Sequence, residues 1–400
     1  MNMRSLFSGK KSGDRDKKKG GTGSTSGTST SSHSSGSSKG RGGSGGKGNK
    51  KNQPKWEDVL KDDIQPVNEE TTAHKSGAIN NVYIREDKEL GQGAFSKVFE
   101  ATHRLTKKKY AIKCVSKQAA QEQDVEAVRK EIDFLTHIKH PNIIRLYEVY
   151  ENTSEIFLVL ELMEGGELFD RIVAKRCFSE EEARRALCMI ASAVQHLHSH
   201  SIVHRDLKPE NILYKSPNDD HLVLSDFGLS VDVPDGRSLT QPCGTLQYAA
   251  PEVLTARTYQ KAVDMWGIGV IAYALLCGFP PFYTNTGDEQ ELANKIADAA
   301  FEFPSPWWDR VSNSAKDMIS GLLEKDPTKR LTAEQMLEHE WMVNPATEVA
   351  YHDTEHVGFP FHQNRNSEIF IQIINKTIEY RRQLEAEELE ELKQKAWYTV

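Results

Sequence analysis

The chain has 400 residues, with 51 Lys and Arg against 58 Asp and Glu and a formal net charge of −7 at pH 7. Its five cysteines are scattered and odd in number, which indicates reduced thiols rather than a disulfide framework or a zinc site. No apolar run reaches the length of a membrane-spanning helix or a signal-peptide core. We therefore expect a cytoplasmic location, with the nucleus as the alternative, and no integral membrane segment.

The charges are divided unevenly along the chain. Residues 1–55 are mostly Gly, Ser, Thr and Lys, and we expect them to be disordered because they cannot bury enough apolar surface. They carry 13 Lys and Arg against 2 Asp, a net charge of +11, so the net charge of residues 56–400 is −18. An acidic body attracts basic peptides. The tail is interpreted as a solvated tether without a specific nucleic-acid partner, with anionic lipid or nucleic acid as the alternative contact, and residues 56–82 are interpreted as a linker.

A glycine-rich hairpin is predicted next. Strand-like composition from Tyr83 to Leu90 resumes from Lys97 to Thr102, and glycines between two strands let the backbone approach phosphates without side-chain collision. A strand rather than a helix follows, and Ser96 replaces a third glycine, which argues against a dinucleotide-binding turn. The residues assigned to nucleotide binding here are Leu90, Gly91, Gln92, Gly93, Ala94, Phe95, Ser96, Lys97 and Val98.

Lys113 lies in an apolar strand, where an unpaired ammonium would be costly to bury. Glu131 lies in a segment whose apolar residues recur at helical spacing. The family resemblance that the motifs further along the chain carry implies an ion pair between Lys113 and Glu131 that forms when this helix swings inward, with the lysine also binding nucleotide phosphates. The alternatives are a lysine that reaches solvent at a strand edge and a solvated glutamate.

The octapeptide His204–Asn211 carries the residues that phosphoryl transfer requires. Asp206 can orient a hydroxyl nucleophile, Lys208 can neutralise charge on the moving phosphoryl group, and Asn211 can supply an oxygen to magnesium. Asp226 opens an Asp-Phe-Gly motif after a short apolar run, and a carboxylate at a strand end can chelate magnesium where the backbone turns. We predict Asp206 and Lys208 as catalytic residues and Asn211 and Asp226 as magnesium ligands.

Further motifs follow in a fixed order: Ala250–Glu252, Asp264–Gly269 and Arg330. Taken together, the motifs across residues 83–342 resemble those of eukaryotic serine/threonine protein kinases. The resemblance is greatest to the calcium/calmodulin-dependent protein kinase (CAMK) group. The residues that carry this group assignment are Glu164–Asp170, Lys208–Asn211 and Leu276–Phe282.

The resemblance implies an α+β fold with a small sheet-rich lobe, a larger helical lobe and an ATP cleft between them. It implies ATP and magnesium as cofactors and protein serine or threonine hydroxyls as acceptors. It also implies that Leu160 lies behind the adenine and that the backbone of Glu161 and Met163 bonds the adenine edge. Apolar contacts to the base are assigned to Val98, Ala111 and Leu213.

The resemblance also implies how a regulatory loop would act. Arg205 is placed to bind a phosphate on the loop that follows Asp226. Many relatives place a threonine two residues before the cysteine of Cys-Gly-Thr, whereas this chain has Gln241 there. We predict that Thr240 is the activating site or that no loop phosphate is required. Leu246 also departs from the proline common after Gly-Thr.

Substrate recognition is assigned to three residues by the same resemblance. Thr245 is expected to contact Asp206 and Lys208 and to favour serine or threonine acceptors. Glu167 and Glu210 match positions that bind arginines upstream of the target residue, and with the −18 charge of residues 56–400 they favour Arg-x-x-Ser/Thr substrates. Solvation of each glutamate is the alternative.

Support roles are expected for three other residues. Glu252 and Arg330 are expected to form an ion pair that anchors the end of the loop. Asp264 is expected to brace the backbone of the catalytic loop from a core helix.

Residues 343–400 are interpreted as a regulatory or docking segment, with a helix from about Ser367. The helix either inhibits the kinase or docks on the large lobe for stability. Calmodulin is a weakly supported partner, because a calmodulin target is a basic amphipathic helix and this segment is nearly neutral and then acidic.

Two other classes of function compete with an active protein kinase. A kinase-fold scaffold without catalysis usually lacks a lysine, an acid or a metal ligand, and all of these are present here. A small-molecule phosphotransferase that shares the fold is disfavoured by the Ala250–Glu252 motif and the long segment before it.

Overall fold

A computed structural model describes residues 67–68, 72–75, 77–175, 177–234, 238–240, 243–255, 258–284 and 287–344. The first of its two lobes is built on a sheet of strand order β1-β5-β6-β4-β3-β2, in which β1 pairs parallel to β5 and the other neighbours pair antiparallel. Its elements are β1 (Ala73–Lys75), α1 (Ile79–Val82), β2 (Tyr83–Gln92), β3 (Ser96–His103), β4 (Lys109–Ser116), α2 (Glu122–His137), β5 (Leu146–Glu151) and β6 (Glu155–Leu160).

The sheet has two apolar faces because its strands alternate side chains between them. One face packs against α2, whose Val128, Ile132 and Leu135 are buried in the main core together with Val115 of β4. The opposite face carries a separate cluster that includes Tyr83, Tyr110 and Ile112. Lys113 therefore projects from β4 toward the side of the sheet that α2 covers.

The second lobe is helical and follows β6 along the chain. Its elements are α3 (Leu168–Lys175), α4 (Glu180–Ser199), β7 (Ile202–Val203), β8 (Ile212–Tyr214), β9 (Leu222–Leu224), β10 (Val231–Asp232), α5 (Pro251–Leu254), α6 (Ala262–Cys277), α7 (Glu289–Asp298), α8 (Asn313–Leu322), α9 (Ala333–Glu338) and α10 (Glu340–Val343). Short 3-10 turns cover Pro209–Asn211 and Leu246–Tyr248.

Helix α6 forms the centre of this lobe, because it is apolar on every side and almost all of its residues are buried. It ends where Gly278 adopts a left-handed φ of 87° and donates its N–H to Ala274 O at 2.8 Å. At Gly267 a Cβ atom would lie 3.1 Å from Leu207 Cβ and 3.2 Å from Leu207 O. This glycine lets the segment that contains Asp206 lie directly on the central helix.

Part of the range interpreted as a linker, residues 56–82, contributes to the first lobe. Strand β1 and helix α1 come from this range, and Thr72 Oγ1 donates to Leu146 O at 2.9 Å. The predicted tail of residues 1–55 and the predicted helix from Ser367 lie outside the described residues. Within the described part of the chain, no helix combines the length and apolarity needed to cross a membrane.

Candidate active site

Asp206 lies at the centre of the candidate site, where three side chains converge on its carboxylate. The Thr245 hydroxyl donates to Asp206 Oδ1 at 3.0 Å, and Lys208 Nζ lies 2.8 Å from Asp206 Oδ2. Lys208 Nζ also donates to Thr245 Oγ1 at 3.0 Å. Asn211 Nδ2 donates to Asp206 Oδ2 at 3.0 Å and to Asp206 O at 2.8 Å. The predicted contacts of Thr245 are therefore present, and the carboxylate is held in one orientation.

The backbone of the catalytic loop, residues His204–Asn211, is held by Asp264 of α6. The N–H groups of His204 and Arg205 each donate to the Asp264 carboxylate at 2.9 Å, and His198 Nε2 lies 2.9 Å from Oδ2. Burial alone would raise the pKa of this carboxyl, but the His198 hydrogen bond, the nearby imidazoles and the Arg205 N–H outweigh it and lower the pKa. The predicted brace is present, and His198 is an additional partner that the sequence did not reveal.

Two residues of the site adopt the left-handed backbone conformation that non-glycine residues rarely adopt. The φ angle is 69° at Arg205 and 58° at Asp226. Such conformations cost about 1–3 kcal/mol each and persist only where the surroundings fix them. At Gly244, whose φ is 96°, a Cβ atom would lie 2.6 Å from Arg205 O, so only glycine lets this segment pass over the loop.

Lys113 lies between two carboxylates. Lys113 Nζ is 2.8 Å from both oxygens of Glu131 and 3.9 Å from Asp226 Oδ1. Burial alone would lower the pKa of Lys113, but the two carboxylates outweigh it and raise the pKa. The predicted ion pair between Lys113 and Glu131 is therefore present, with the helix that carries Glu131 in its inward position.

Asn211 and Asp226 offer the oxygen donors that magnesium prefers. Because Asn211 Nδ2 donates to Asp206, the amide oxygen is the group left to bind a cation. Withdrawal of Asp226 from bulk water would raise the pKa of its carboxyl, but Lys113 and the Gly228 N–H outweigh it and lower the pKa. The pair fits the predicted magnesium role. Among the described residues, no group of three or more His, Cys, Asp or Glu could hold a metal ion.

The glycine-rich hairpin joins β2 to β3 as predicted. The Gly93 N–H donates to Ser96 O at 2.8 Å, and a Cβ atom at Gly93 would lie 2.9 Å from Ser96 Oγ. At Gly91 nothing lies within 4 Å of such an atom. The backbone carbonyl of Ser96 therefore closes the turn, and residues 91–94 are exposed. The free space beside Gly91 is compatible with a bound phosphate.

The connection between the lobes begins where β6 ends at Leu160. Ala111 pairs with Leu160 across neighbouring strands, and Leu160 and Met163 are half-buried. The Glu161 N–H donates to Arg145 O at 2.9 Å, so the carbonyl is the remaining backbone group for the predicted adenine contact. Glu161 Oε1 lies 2.8 Å from Lys215 Nζ, which ties the connection to the helical lobe.

The remaining predicted base contacts lie on both lobes. Val98 pairs with Lys113 across β3 and β4. Leu213 lies on β8 and forms an isolated bridge with Glu167. Val98 therefore belongs to the first lobe and Leu213 to the second, so the predicted base contacts come from both lobes.

Arg205 contacts Leu229 in the loop that follows Asp226 and Tyr259 beyond that loop. Its Nε donates to Leu229 O at 2.6 Å, and its Nη1 lies 3.5 Å from the Tyr259 hydroxyl. The backbone of Tyr259 exchanges two hydrogen bonds of 2.9 Å with Leu239, the neighbour of the exposed Thr240. Gln241 lies outside the described residues.

The two glutamates predicted to bind substrate arginines are both half-buried. Glu167 precedes α3, and its carbonyl accepts from the Arg171 N–H at 3.4 Å. Glu210 lies in the 3-10 turn that follows Lys208. Their role in substrate recognition stays a prediction.

Glu252 and Arg330 form the ion pair expected from the sequence. The guanidinium donates to the two carboxylate oxygens at 2.7 and 2.9 Å, and both side chains are buried. Arg330 also donates to Ala262 O and Glu324 O, so the buried guanidinium has further partners. The pair fixes α5, which follows the regulatory loop, to the C-terminal part of the lobe.

A second charged network holds α2 and was not found from the sequence. Glu151 Oε1, at the end of β5, lies 2.7 Å from Arg129 Nη2 and 2.6 Å from Lys117 Nζ. Arg129 stands two residues before Glu131 on the same helix. Separations of 22 and 34 residues left no local signal for this network.

Comparison with known proteins agrees with this geometry. The family model of the protein kinase domain matches residues 84–342. The chain belongs to the protein kinase family. A probable myosin light chain kinase of Dictyostelium discoideum is 47% identical to this kinase over 261 residues, which cover 64% of this chain and 82% of that protein.

Two mammalian relatives match the same region. The calcium/calmodulin-dependent protein kinase type 1B of Rattus norvegicus is 47% identical over 270 residues, covering 67% of this kinase and 77% of that protein. The calcium/calmodulin-dependent protein kinase type IV of Mus musculus is 47% identical over 273 residues, which cover 68% of this kinase and 57% of that protein. These matches confirm the predicted CAMK-group resemblance and the two-lobed α+β fold, in a family that generally uses ATP and magnesium.

Proposed function

We propose that this kinase is catalytically active and transfers the γ-phosphate of ATP to serine or threonine hydroxyls of protein substrates, with a preference for Arg-x-x-Ser/Thr. The observation that carries the proposal is the contact of Asp206 with Thr245 and Lys208, on a loop whose backbone Asp264 holds. The Lys113–Glu131 ion pair supports it, because that pair marks an assembled nucleotide site.

Each polar group then has a defined task. Asp206 Oδ2, with Lys208 and Asn211 as neighbours, accepts the proton of the acceptor hydroxyl and orients it. Lys208 Nζ and Lys113 Nζ place positive charge beside the phosphates. When bound, magnesium neutralises phosphate charge, and Asn211 and Asp226 would hold it.

The substrate preference follows from charge. The net charge of −18 on residues 56–400 attracts basic peptides before any specific contact forms. Glu210 stands two residues after Lys208, for which we propose a catalytic role. Glu167 forms an antiparallel backbone bridge with Leu213 of β8, the strand that follows Glu210. Two glutamates beside the acceptor position would select arginines on the same side of the target hydroxyl.

The test uses the purified full chain, radiolabelled ATP, magnesium and two serine peptides that differ only by Arg or Glu three residues before the serine. The Arg peptide is expected to be phosphorylated with the lower KM. Glu210→Gln should raise KM for the Arg peptide about tenfold and lower KM for the Glu peptide, because the change removes an attraction in the first case and a repulsion in the second. Glu334→Gln, an exposed change on α9, is the matched control.

The same assay separates the competing functions. Binding of ATP without labelling of any peptide would support a scaffold and contradict the proposal. Labelling with an acidic preference would keep the kinase and reject the assignment of Glu167 and Glu210. Repeating the assay with calcium and calmodulin tests whether the dependence named for the type 1B and type IV relatives extends to this chain.

A further inference from the structure

Helix α2 carries a polar side chain at each edge of its buried stripe. The apolar residues Val128, Ile132 and Leu135 form this stripe and are buried in the main core. Successive residues of an α-helix are rotated by about 100°, so Glu131 lies at one edge of the stripe and Arg129 at the other, about 160° apart around the helix axis. Contacts at both edges would fix the rotation of the helix as well as its distance from the sheet.

The first edge belongs to the nucleotide site. Both carboxylate oxygens of Glu131 lie 2.8 Å from Lys113 Nζ on β4. The apolar contacts of the stripe are non-directional, so they hold α2 against the sheet without requiring this ion pair. A rotation of α2 about its axis would separate Glu131 from Lys113. The ion pair therefore depends on contacts elsewhere that fix the rotation.

Glu151, at the end of β5, holds the second edge. Its Oε1 lies 2.7 Å from Arg129 Nη2 and its Oε2 lies 3.3 Å from Nη1, the paired geometry of a guanidinium with a carboxylate. Glu151 Oε1 also lies 2.6 Å from Lys117 Nζ. Lys117 is itself fixed, because its Nζ donates to Asn152 O at 2.6 Å and its N–H donates to Ser154 O at 2.8 Å. The end of β5 thus binds both the turn before α2 and the helix itself.

We propose that Glu151 is a positioning residue for the proposed phosphoryl transfer, because it keeps α2 in the rotation at which Glu131 reaches Lys113. This inference rests on the proposed function, which assigns the phosphates of ATP to Lys113. A single exposed ion pair contributes little, and the Arg129 and Glu151 side chains are 55% and 36% exposed. One carboxylate that binds two cations forms a network and contributes more than one pair. A small free energy is enough to shift the balance between two close positions of a helix.

Helix α2 also contains a matched control. Lys130 Nζ lies 3.0 Å from Glu126 Oε1, and these side chains are 58% and 65% exposed. This pair joins two turns of the same helix, so it cannot set the position of α2 on the sheet. Glu151→Lys and Glu126→Lys make the same change of charge, and each places a lysine beside a cation.

The first test measures the pair of Lys113 with Glu131 without nucleotide or catalysis. Burial alone would lower the pKa of Lys113, and the Glu131 carboxylate opposes that effect. Separation of the two side chains therefore leaves more of the amine unprotonated and reactive. Trace acetylation of the full chain with acetic anhydride, followed by peptide mass spectrometry, measures the rate at Lys113. Glu151→Lys should raise this rate about fivefold, and Glu126→Lys should leave it unchanged.

The second test measures the consequence for the nucleotide site. Calorimetric titration of the full chain with ATP and magnesium should give a Kd about threefold higher for Glu151→Lys than for Glu126→Lys. In a Glu131→Gln background the change Glu151→Lys should have no further effect on Kd, because it acts through Glu131. A purely structural role of Glu151 would lower affinity in both backgrounds.

A milder pair of variants guards against unfolding of the small lobe. Arg129→Gln removes the partner of Glu151 on α2 and should raise the acetylation rate of Lys113 about twofold, whereas Lys130→Gln should not change it.

Equal acetylation rates in the variant and control of each pair would overturn the inference, as would a full effect of Glu151→Lys on Kd in the Glu131→Gln background. A wild-type chain that binds no ATP would contradict the proposed function instead. The acetylation rates would still decide whether Glu151 positions Glu131.

Discussion

The catalytic loop and the regulatory loop that covers it, residues 226–252, are held in different ways. Asp206 and Asp264 each have at least three polar partners within 3.0 Å, drawn from separate segments of the chain. The described stretch Ser238–Thr240 of the regulatory loop has fewer bonds: Leu239 exchanges one pair of backbone hydrogen bonds with Tyr259, and the Ser238 hydroxyl accepts from Gln260 Nε2 at 3.2 Å. Redundant contacts hold the groups to which the proposed chemistry is assigned, and a segment with fewer contacts opens more readily.

Asp206→Asn tests the catalytic loop most severely. The amide keeps the size of the carboxylate but cannot accept the proton of the acceptor hydroxyl, so kcat should fall about 10³-fold with little change in KM for ATP. Steady-state kinetics on the Arg-x-x-Ser peptide measure both constants. Asp298→Asn, an exposed change on α7, should match the unmodified chain. A variant with more than a tenth of the original kcat would mean that Asp206 is not the base.

Asp264→Asn tests the brace and should cost about 2–3 kcal/mol of unfolding free energy, because it weakens the bonds to two backbone N–H groups. The lowered pKa of Asp264 determines how its contribution to the free energy of unfolding depends on pH. Its stabilising contribution is present above the unfolded pKa, near 3.9, and is lost as pH falls through the lower folded pKa. Denaturant unfolding should show a constant gap between the two chains from pH 7 to about 5, which shrinks below about pH 4. A gap that widens at low pH would contradict this account.

Thr245→Val removes the hydroxyl that bonds to both Asp206 and Lys208. It should lower kcat about tenfold, since two hydrogen bonds of about 0.5–1.5 kcal/mol each are lost. Lys208 and Asp206 keep their direct contact of 2.8 Å, which limits the effect. Thr245→Ser retains the hydroxyl and should recover most of the activity. Equal losses in the two variants would show that the methyl group matters and that the hydrogen bonds do not.

Thr240→Ala should have the smallest effect, about twofold in kcat. Arg205 donates to Leu229 O and lies beside the Tyr259 hydroxyl, so part of its guanidinium is already bonded to neutral groups and is less available to a phosphate on Thr240. Mass spectrometry of the active chain, followed by kinetics of the variant, measures the effect. A loss of tenfold or more, with phosphate found on Thr240, would show that the sparse loop contacts are completed by phosphorylation.

The sequence predicted the contacts whose residues lie in short, recognisable motifs. The contacts of Thr245 with Asp206 and Lys208, and the pair of Lys113 with Glu131, were expected from the resemblance of these motifs to those of protein kinases. The pair of Glu252 with Arg330 was predicted for the same reason.

Contacts without a local pattern were not predicted. Strand β1 spans only three residues, Ala-His-Lys, which show no alternation of apolar and polar side chains. The bond of His198 to Asp264 joins residues 66 positions apart, and nothing in either segment marks the partner. The left-handed backbone at Arg205 and Asp226 was not predicted either, because Arg rarely adopts it and Asp adopts it only at isolated positions.

The central claim is that this cleft is a working active site. It is tested by a single-turnover assay, in which the phosphatase-treated full chain, with magnesium, transfers phosphate from radiolabelled ATP to an Arg-x-x-Ser peptide. The account predicts that the chain labels the peptide both before and after phosphatase treatment. It also predicts that Asp206→Asn still binds the nucleotide but labels the peptide about 10³-fold more slowly. A wild-type chain that binds the nucleotide but labels no peptide would contradict it.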